Sequence, residues 1–148
     1  MKSVQVRASG PLHGRISPPG DKSISHRAAF FGALSSAGIE VSNFSPGADC
    51  ASTLECLRQL GCVVSRKNDR VSVRKGSLGR ESAGILDAGN SGTTARLLCG
   101  LLAGIPGVFS VINGDDSLRK RPMKRIVAPL RTLGARIDGR EGGAFLPL

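Results

Sequence analysis

The sequence has few aromatic side chains and few acidic ones. It contains five Phe, no Trp and no Tyr, and 11 Asp and Glu against 21 Lys and Arg, which leaves a formal net charge of +10 over 148 residues. Few rings are available to stack on bases and no nucleic-acid recognition motif is present, which argues against a nucleic-acid-binding function. The excess of positive charge predicts attraction to anions without deciding which anion.

Long apolar stretches and paired cysteines are lacking as well. The longest uncharged stretch, residues 97–114, is interrupted by glycines and a proline, so neither a signal peptide nor a membrane span is predicted. The four cysteines form no Cys-x-x-Cys pair and only two His could join them, so no metal site is expected. We expect reduced, structural thiols in a cytoplasmic protein, with Cys50 and Cys56 packing from one helix.

One pattern of residues occurs twice along the chain. Gly20 and Arg27 open one apolar segment, and Gly89 and Arg96 open another at the same offset of 69 positions. Each apolar segment ends in Ala-Gly-Ile and is followed later by Leu-Arg-x-Leu-Gly. Each copy predicts the order helix, strand, helix, strand, strand, so the fold class is α/β with a repeated unit.

The same patterns predict where the elements begin and end. We predict helices over residues 23–36, 49–60, 91–103 and 122–133. We predict strands over residues 39–44, 62–67, 70–75, 108–112, 135–138 and 144–148, after an initial strand pair over residues 4–7 and 14–17. Asn68-Asp69 is a favourable turn pair, and Gly61 and Gly134 stand where a helix needs a left-handed C-terminal residue.

These elements divide the chain into three parts. Residues 1–19 form a strand segment, residues 20–88 a first unit and residues 89–148 a second unit. Stacked repeats need a neighbour to cover their open face. We therefore expect the second unit to be truncated or to need a further segment.

Both copies open with glycine and small polar residues just before a helix. Unpaired backbone N–H groups and the helix dipole favour an anion there. In the first copy, Lys22 adds a point charge, Ser23 a hydroxyl donor and Arg27 a guanidinium about one turn later. Charge-assisted hydrogen bonds contribute about 1.5–3 kcal/mol each, against about 0.3–1 kcal/mol for the dipole, so the side chains would dominate. The plainer alternative is that Asp21 or Ser23 caps the helix and Lys22 is a solvated charge.

A third basic cluster follows Gly114. Residues 119–125 include five Lys or Arg, and Pro122 at a first helical position would put Arg121 at the helix entrance. A solvated basic turn, with Asp115 and Asp116 as counter-charges, is the alternative.

The Gly-rich patterns of nucleotide-binding loops are not matched. A P-loop needs lysine directly after its second glycine, and here Asp21 separates Gly20 from Lys22. The Gly-x-Gly-x-x-Gly pattern is absent too. An ATP or NAD enzyme is therefore disfavoured.

Three segments resemble one enzyme family. They read Pro-Gly-Asp-Lys-Ser-Ile-Ser-His-Arg over 19–27, Gly-Asn-Ser-Gly-Thr-Thr-Ala-Arg-Leu over 89–97 and Gly-Asp-Asp-Ser-Leu-Arg-Lys-Arg-Pro-Met over 114–123. They resemble the N-terminal signatures of the 3-phosphoshikimate 1-carboxyvinyltransferases, or 5-enolpyruvylshikimate-3-phosphate synthases. The resemblance implies the enolpyruvyl transferase inside-out barrel of βαβαββ-type units around buried helices. The barrel is incomplete in this chain, and residues 1–19 are expected to pack with an absent second domain.

The resemblance also implies a reaction. Family members transfer the enolpyruvyl group of phosphoenolpyruvate to shikimate 3-phosphate, giving 5-enolpyruvylshikimate 3-phosphate and phosphate, in the route to aromatic amino acids. No metal or organic cofactor, nucleic acid or membrane is implied. By motif position, Lys22 would be catalytic and touch both substrates, and Ser23 and Arg27 would hold shikimate 3-phosphate. The phosphoenolpyruvate site would comprise Gly92, Arg121, Asn90 and Thr93, with Arg96 as a structural neighbour.

The sequence departs from the family in two respects. Leu97 stands where many members have proline, and the chain is roughly the first third of a family member. The acidic residues that the family uses for proton transfer lie in the missing remainder, so we expect this chain alone to be inactive and to need the C-terminal part.

Two alternatives remain at this point. One is a relative of the enolpyruvyl transferase that acts on UDP-N-acetylglucosamine, which shares the fold but not Asp-Lys-Ser-Ile-Ser-His-Arg. The other is a non-catalytic basic fragment that binds anions or nucleic acid. Its basic residues would include Arg66, Lys67, Arg70, Arg74, Lys75 and Arg80.

Overall fold

The structure is a computed structural model that describes residues 3–8, 10–78 and 81–148. Arg80, named above among the basic residues, lies outside the described residues. Both helices and strands occur along the chain, and the predicted α/β class is confirmed. Within the described ranges, none of the helices has the length and apolar character that crossing a membrane requires.

The first unit is a pair of helices packed on an antiparallel sheet. Its elements are α1 Lys22–Leu34, β1 Ile39–Val41, α2 Ala48–Gln59, β2 Val63–Lys67 and β3 Arg70–Arg74. The strands pair in the order β1-β3-β2, and β2 turns into β3 through Asn68, which has a φ of 56°. Val71 and Val73 are buried against the helices while Arg70 and Arg74 face solvent, the alternation expected of a sheet with one covered face.

A parallel strand pair spans the predicted boundary between the two units. β4 Glu81–Asp87 lies at the end of residues 20–88. Residues 89–148 contain α3 Gly92–Ala103, β5 Phe109–Asn113, a 3-10 turn Leu118–Lys120, α4 Lys124–Thr132 and the short α5 Arg140–Gly143. β4 and β5 pair in parallel, with α3 as the crossover between them. The segments that follow the two strands lie together, because the N–H of Asp115 donates to the carbonyl of Gly89 at 2.9 Å. The start of α3 therefore lies beside the third basic cluster.

One hydrophobic core joins the two units. α2 packs against both α1 and α3, and α1 also contacts α3. Cys50 and Cys56 are 0% and 1% exposed, as predicted for packing residues, and all four cysteines are buried free thiols. The large, fully buried side chains come from both units and include Phe44, Leu54, Leu57, Leu86, Leu98, Leu118, Met123 and Leu146.

The end of the second unit differs from the prediction. Residues 135–138 and 144–148 form no strands, because positive φ angles at Glu141, Gly142 and Gly143 turn the chain tightly between them. The start of α4 also moves, from Pro122 to Lys124. The N–H of Met123 donates to the carbonyl of Ala144 at 2.8 Å instead of lying inside a helix.

Two further segments differ from the predicted boundaries. β4 was not predicted, because Gly84 breaks its apolar pattern and glycine weakens a strand interior. Residues 4–7 and 14–17 form no strand in the described part of the chain, and Val4, Val6 and Ile16 are 86–89% exposed. Packing of residues 1–19 with a second domain stays a prediction.

Candidate functional site

The start of α1 presents three of the predicted site residues. Asp21 caps the helix, since its Oδ1 accepts the N–H of Ile24 at 2.6 Å, so the capping interpretation holds for Asp21. Lys22 and Ser23 are the first two helical residues, and both are exposed. Arg27 is exposed four residues after Ser23, so the two lie on one face of the helix.

Lys22 is paired with a carboxylate from the next helix. Its Nζ forms an ion pair with Asp49 Oδ2, and the side chains are 54% and 27% exposed. Because an ammonium has three donors, it can keep this partner and still bind an anion from solvent. At this exposure the pair contributes little stability, so its main effect is to hold Lys22 near the start of α2.

The start of α3 lies under two guanidinium groups. Ser91 caps the helix, with its Oγ accepting the N–H of Thr94 at 3.1 Å. A Cβ added to Gly92 would lie 2.5 Å from Arg96 Nη1 and 3.5 Å from Arg121 Nη1. The absence of a side chain at Gly92 thus lets two cations approach the unpaired N–H groups of the helix start.

Arg121 is held in place by a short chain of polar contacts. Its Nη2 donates to Asn90 Oδ1 at 2.6 Å, and Asn90 Nδ2 donates to Asp115 Oδ2 at 2.7 Å. The backbone N–H of Leu118, followed by the Asn90 amide, lowers the pKa of Asp115. The carboxylate therefore stays ionised and fixes the orientation of Asn90, whose oxygen then faces Arg121.

The two helix starts are neighbours. Thr94 Oγ1 in the first turn of α3 donates to the carbonyl oxygen of Asp49 at 3.2 Å. Asp49 also holds Lys22, so a single residue of α2 contacts both openings. An anion between them would meet positive groups from two separated stretches of sequence.

The structure thus groups three of the predicted site residues and links a fourth to them. Asn90, Gly92 and Arg121 form one cluster, and Lys22 is joined to it through Asp49. Thr93 is exposed in the first turn of α3. Cavities of about 420 and 730 Å³ lie away from this cluster, one on the outer sheet face around Ser65 and the other beside β5.

The sequence prediction missed three residues of this arrangement. Asp49 was assigned only to a helix, Asp115 only to a possible counter-charge, and Thr94 was given no role. The repeat carried a signal for Thr94, because it lies 69 positions after Ser25. Both hydroxyls are buried and hydrogen-bonded near the start of their helix.

A family model for EPSP synthase (3-phosphoshikimate 1-carboxyvinyltransferase) matches residues 6–148. The chain belongs to this family. Curated relatives with that name include one from Herpetosiphon aurantiacus, 56% identical over 139 residues, and one from Chloroflexus aurantiacus, 52% identical over 151 residues. These matches cover 93% and 100% of this chain and 32% and 34% of the relatives.

Solved structures give the same result. EPSP synthase from Acinetobacter baumannii matches with a TM-score of 0.80 at 40% identity, over 90% of this chain and 31% of that chain. This likeness confirms the predicted enolpyruvyl transferase fold, of which the chain forms a portion. The chain spans about a third of the length of these EPSP synthases.

Proposed function

We propose that this chain forms part of the active site of an EPSP synthase, which transfers the enolpyruvyl group of phosphoenolpyruvate to the 5-hydroxyl of shikimate 3-phosphate. The observation that carries the proposal is Arg121, which lies over Gly92 at the start of α3 and donates to Asn90 Oδ1 at 2.6 Å. A fixed guanidinium beside unpaired helix N–H groups suits a phosphate or a carboxylate.

The predicted residues divide between the two substrates. Lys22 touches both and offsets part of their negative charge from the start of α1. Ser23 and Arg27, on one exposed face of α1, hold shikimate 3-phosphate. Phosphoenolpyruvate is held at the start of α3 by Gly92, Arg121, Asn90 and Thr93.

The chemistry explains why several cations are needed. The 5-oxygen of shikimate 3-phosphate bonds to C2 of phosphoenolpyruvate, and the bond from C2 to the phosphate oxygen breaks. The hydroxyl proton ends on the released phosphate. Both substrates carry a phosphate and a carboxylate, so cations must offset their mutual repulsion before the 5-oxygen can approach C2.

On this proposal, the chain holds only part of the active site. The carboxylates that move protons come from the remaining two thirds of the enzyme, so the 148-residue chain binds anions without turning substrates over. The C-terminal part of the enzyme is then its required partner. We place the reaction in the cytoplasm, with no cofactor.

The test is a joined enzyme. Residues 1–148 are fused to the remaining part of the relative from Shouchella clausii, which is 54% identical over 144 residues, and phosphate release is measured. We expect K22A to lower kcat/KM by roughly 100-fold or more, the scale for losing a group that stabilises transition-state charge. The matched control K67A changes an exposed lysine on the solvent face of β2 and should have little effect.

Three outcomes would contradict the proposal. Equal, small effects of K22A and K67A would mean that Lys22 is a solvated charge. Turnover of UDP-N-acetylglucosamine in place of shikimate 3-phosphate would assign the chain to the sister transferase. Phosphate release at a normal rate by the unfused chain would show that its site is complete.

A further inference from the structure

A buried chain of polar side chains joins α1, α2 and α3 behind the candidate site. His26 Nδ1 lies 2.7 Å from Thr53 Oγ1, which lies 2.7 Å from Thr94 Oγ1. Thr94 Oγ1 lies 2.7 Å from Ser91 Oγ and 3.2 Å from the carbonyl oxygen of Asp49. The four side chains are 0% exposed. Buried polar groups cost free energy unless they are hydrogen-bonded, so these contacts fix the three helices relative to one another.

Both ends of the polar chain reach the candidate site. At one end, Ser91 caps α3 directly before Gly92, and the carboxylate of Asp49 holds Lys22. At the other end, His26 lies one turn after Lys22 on α1. The contacts therefore close a ring that runs from Lys22 through three helices and back to Lys22.

The hydrogen atoms of the polar chain have one favourable arrangement. The Asp49 carbonyl can only accept, so the single hydroxyl hydrogen of Thr94 is directed to it. Thr94 Oγ1 then accepts from Thr53, and Thr53 Oγ1 accepts from His26. This order requires His26 to carry its proton on Nδ1.

The surroundings of His26 agree with a neutral ring of this kind. Its Nε2 has no hydrogen-bond partner among the described residues, so a proton there would be a buried, unpaired donor. Among backbone groups, such donors are rarer than unpaired acceptors. Burial, and then the charge of Lys22, lower the pKa of His26, although Asp49 opposes them.

We propose that His26 and Thr53 are positioning residues of the anion site. Their hydrogen bonds hold Lys22 and the start of α3 at the separation that the two substrates require. Neither residue contacts a substrate. The identity of the anions rests on the proposed function, whereas the positioning itself does not.

The first test needs no ligand. Nitrogen NMR of the 148-residue chain should find His26 in the neutral Nδ1–H tautomer, and NOEs should connect the Lys22 side chain to the first turn of α2. T53V removes the hydroxyl with little change in shape, and it should alter the tautomer and weaken these NOEs. T53S keeps a hydroxyl and should preserve both. T132V, at the exposed end of α4, is the matched control.

The second test titrates shikimate 3-phosphate into the same chains. We expect binding to T53V to be about tenfold weaker, equivalent to about 1.4 kcal/mol, because unpaired groups stay buried at His26 and Thr94. T53S and T132V should bind as the wild type does.

Four results would overturn the proposal. They are an Nε2–H tautomer in the wild type, unchanged Lys22 NOEs in T53V, equal loss of affinity in T53V and T53S, and full affinity in T53V. If the wild type binds no shikimate 3-phosphate, the proposed function fails, while the tautomer and the NOEs still decide the positioning role. The wild-type tautomer needs no variant, so a T53V chain that does not fold leaves the proposal falsifiable.

Discussion

Replacing Gly92 by alanine probes the start of α3 most sharply. The new methyl would lie 2.5 Å from Arg96 Nη1, well inside the 3.4 Å at which ordinary contact begins. The guanidinium is the far end of a flexible side chain and can retreat. Alanine also favours a helix over glycine by up to about 1 kcal/mol, so we expect the free energy of unfolding to change by no more than about 1 kcal/mol.

Anion binding should respond more strongly to the same change. The methyl would enter the space between the two guanidinium groups and the first N–H groups of α3. Losing one charge-assisted hydrogen bond costs about 1.5–3 kcal/mol, or roughly 10- to 100-fold in affinity for phosphoenolpyruvate. NMR titration measures the affinity, and urea unfolding measures the stability.

Gly100 supplies the matched control. It is exposed on the same helix, and a Cβ there would meet nothing within 4 Å. G100A should therefore bind phosphoenolpyruvate as the wild type does. Wild-type affinity in G92A, or an equal loss in G100A, would refute the placement of the anion at Gly92.

Two further predictions concern buried groups. Burial, and then Lys22, lower the pKa of His26 below 6.5, so the unfolded chain binds this proton more readily than the folded one. The contribution of His26 to the free energy of unfolding is therefore complete above the pKa that His26 has in the unfolded chain. It is lost as the pH falls through the lower pKa that His26 has in the folded chain. Urea unfolding at about pH 7.5 and about pH 5 should show that the free energy of unfolding falls more for the wild type than for H26Q. Equal decreases in the two proteins would contradict this. Burial also raises the pKa of Cys56 to about 12 and that of Cys99 to about 11. All four cysteines are buried, so they should resist a thiol reagent at about pH 8 until urea unfolds the chain. Rapid labelling of the folded chain would instead show that solvent reaches the core.

The repeat explains why much of the fold could be predicted from the sequence. α1, α2 and α3 begin within one residue of their predicted starts, because each opens with a polar capping segment and continues with apolar residues. Gly61 and Gly134 have φ angles of 88° and 97°, as expected of residues that end helices in the left-handed region.

The failures arose where tertiary contacts override local pattern. Residues 135–138 were predicted as a strand, but Arg131 Nε donates to the carbonyl of Ile137 at 2.9 Å and ties the segment to α4. Leu148 does exchange two backbone hydrogen bonds with Ile112, at 2.9 and 3.0 Å. Earlier in the predicted strand, the carbonyl of Ala144 accepts from Met123, and Phe145 pairs with Arg140. No local pattern in the sequence specifies these pairings.

The sequence predicted which charged residues belong to the candidate site, but not which residues they contact. Arg121 was chosen from the third basic cluster and Gly92 from the family motif, and the structure brings them together. Arg121 ends the 3-10 turn, however, so its predicted place at the entrance of α4 was wrong. The partners of the cations depend on how helices pack. Asp49 reaches Lys22 only because α2 lies beside α1, and this packing is not encoded within either segment alone.

The proposed convergence of Lys22, Arg27 and Arg121 on small anions is tested most directly by mapping where shikimate 3-phosphate and phosphoenolpyruvate bind. Both substrates are added to the isotope-labelled chain, and the amide and guanidinium resonances are followed. We expect saturable changes at the starts of α1 and α3 and at Arg121, with Lys67 and Arg70 on the outer sheet face unaffected. Changes centred on Lys67 and Arg70, or spread over every basic residue without saturation, would contradict a shared anion site.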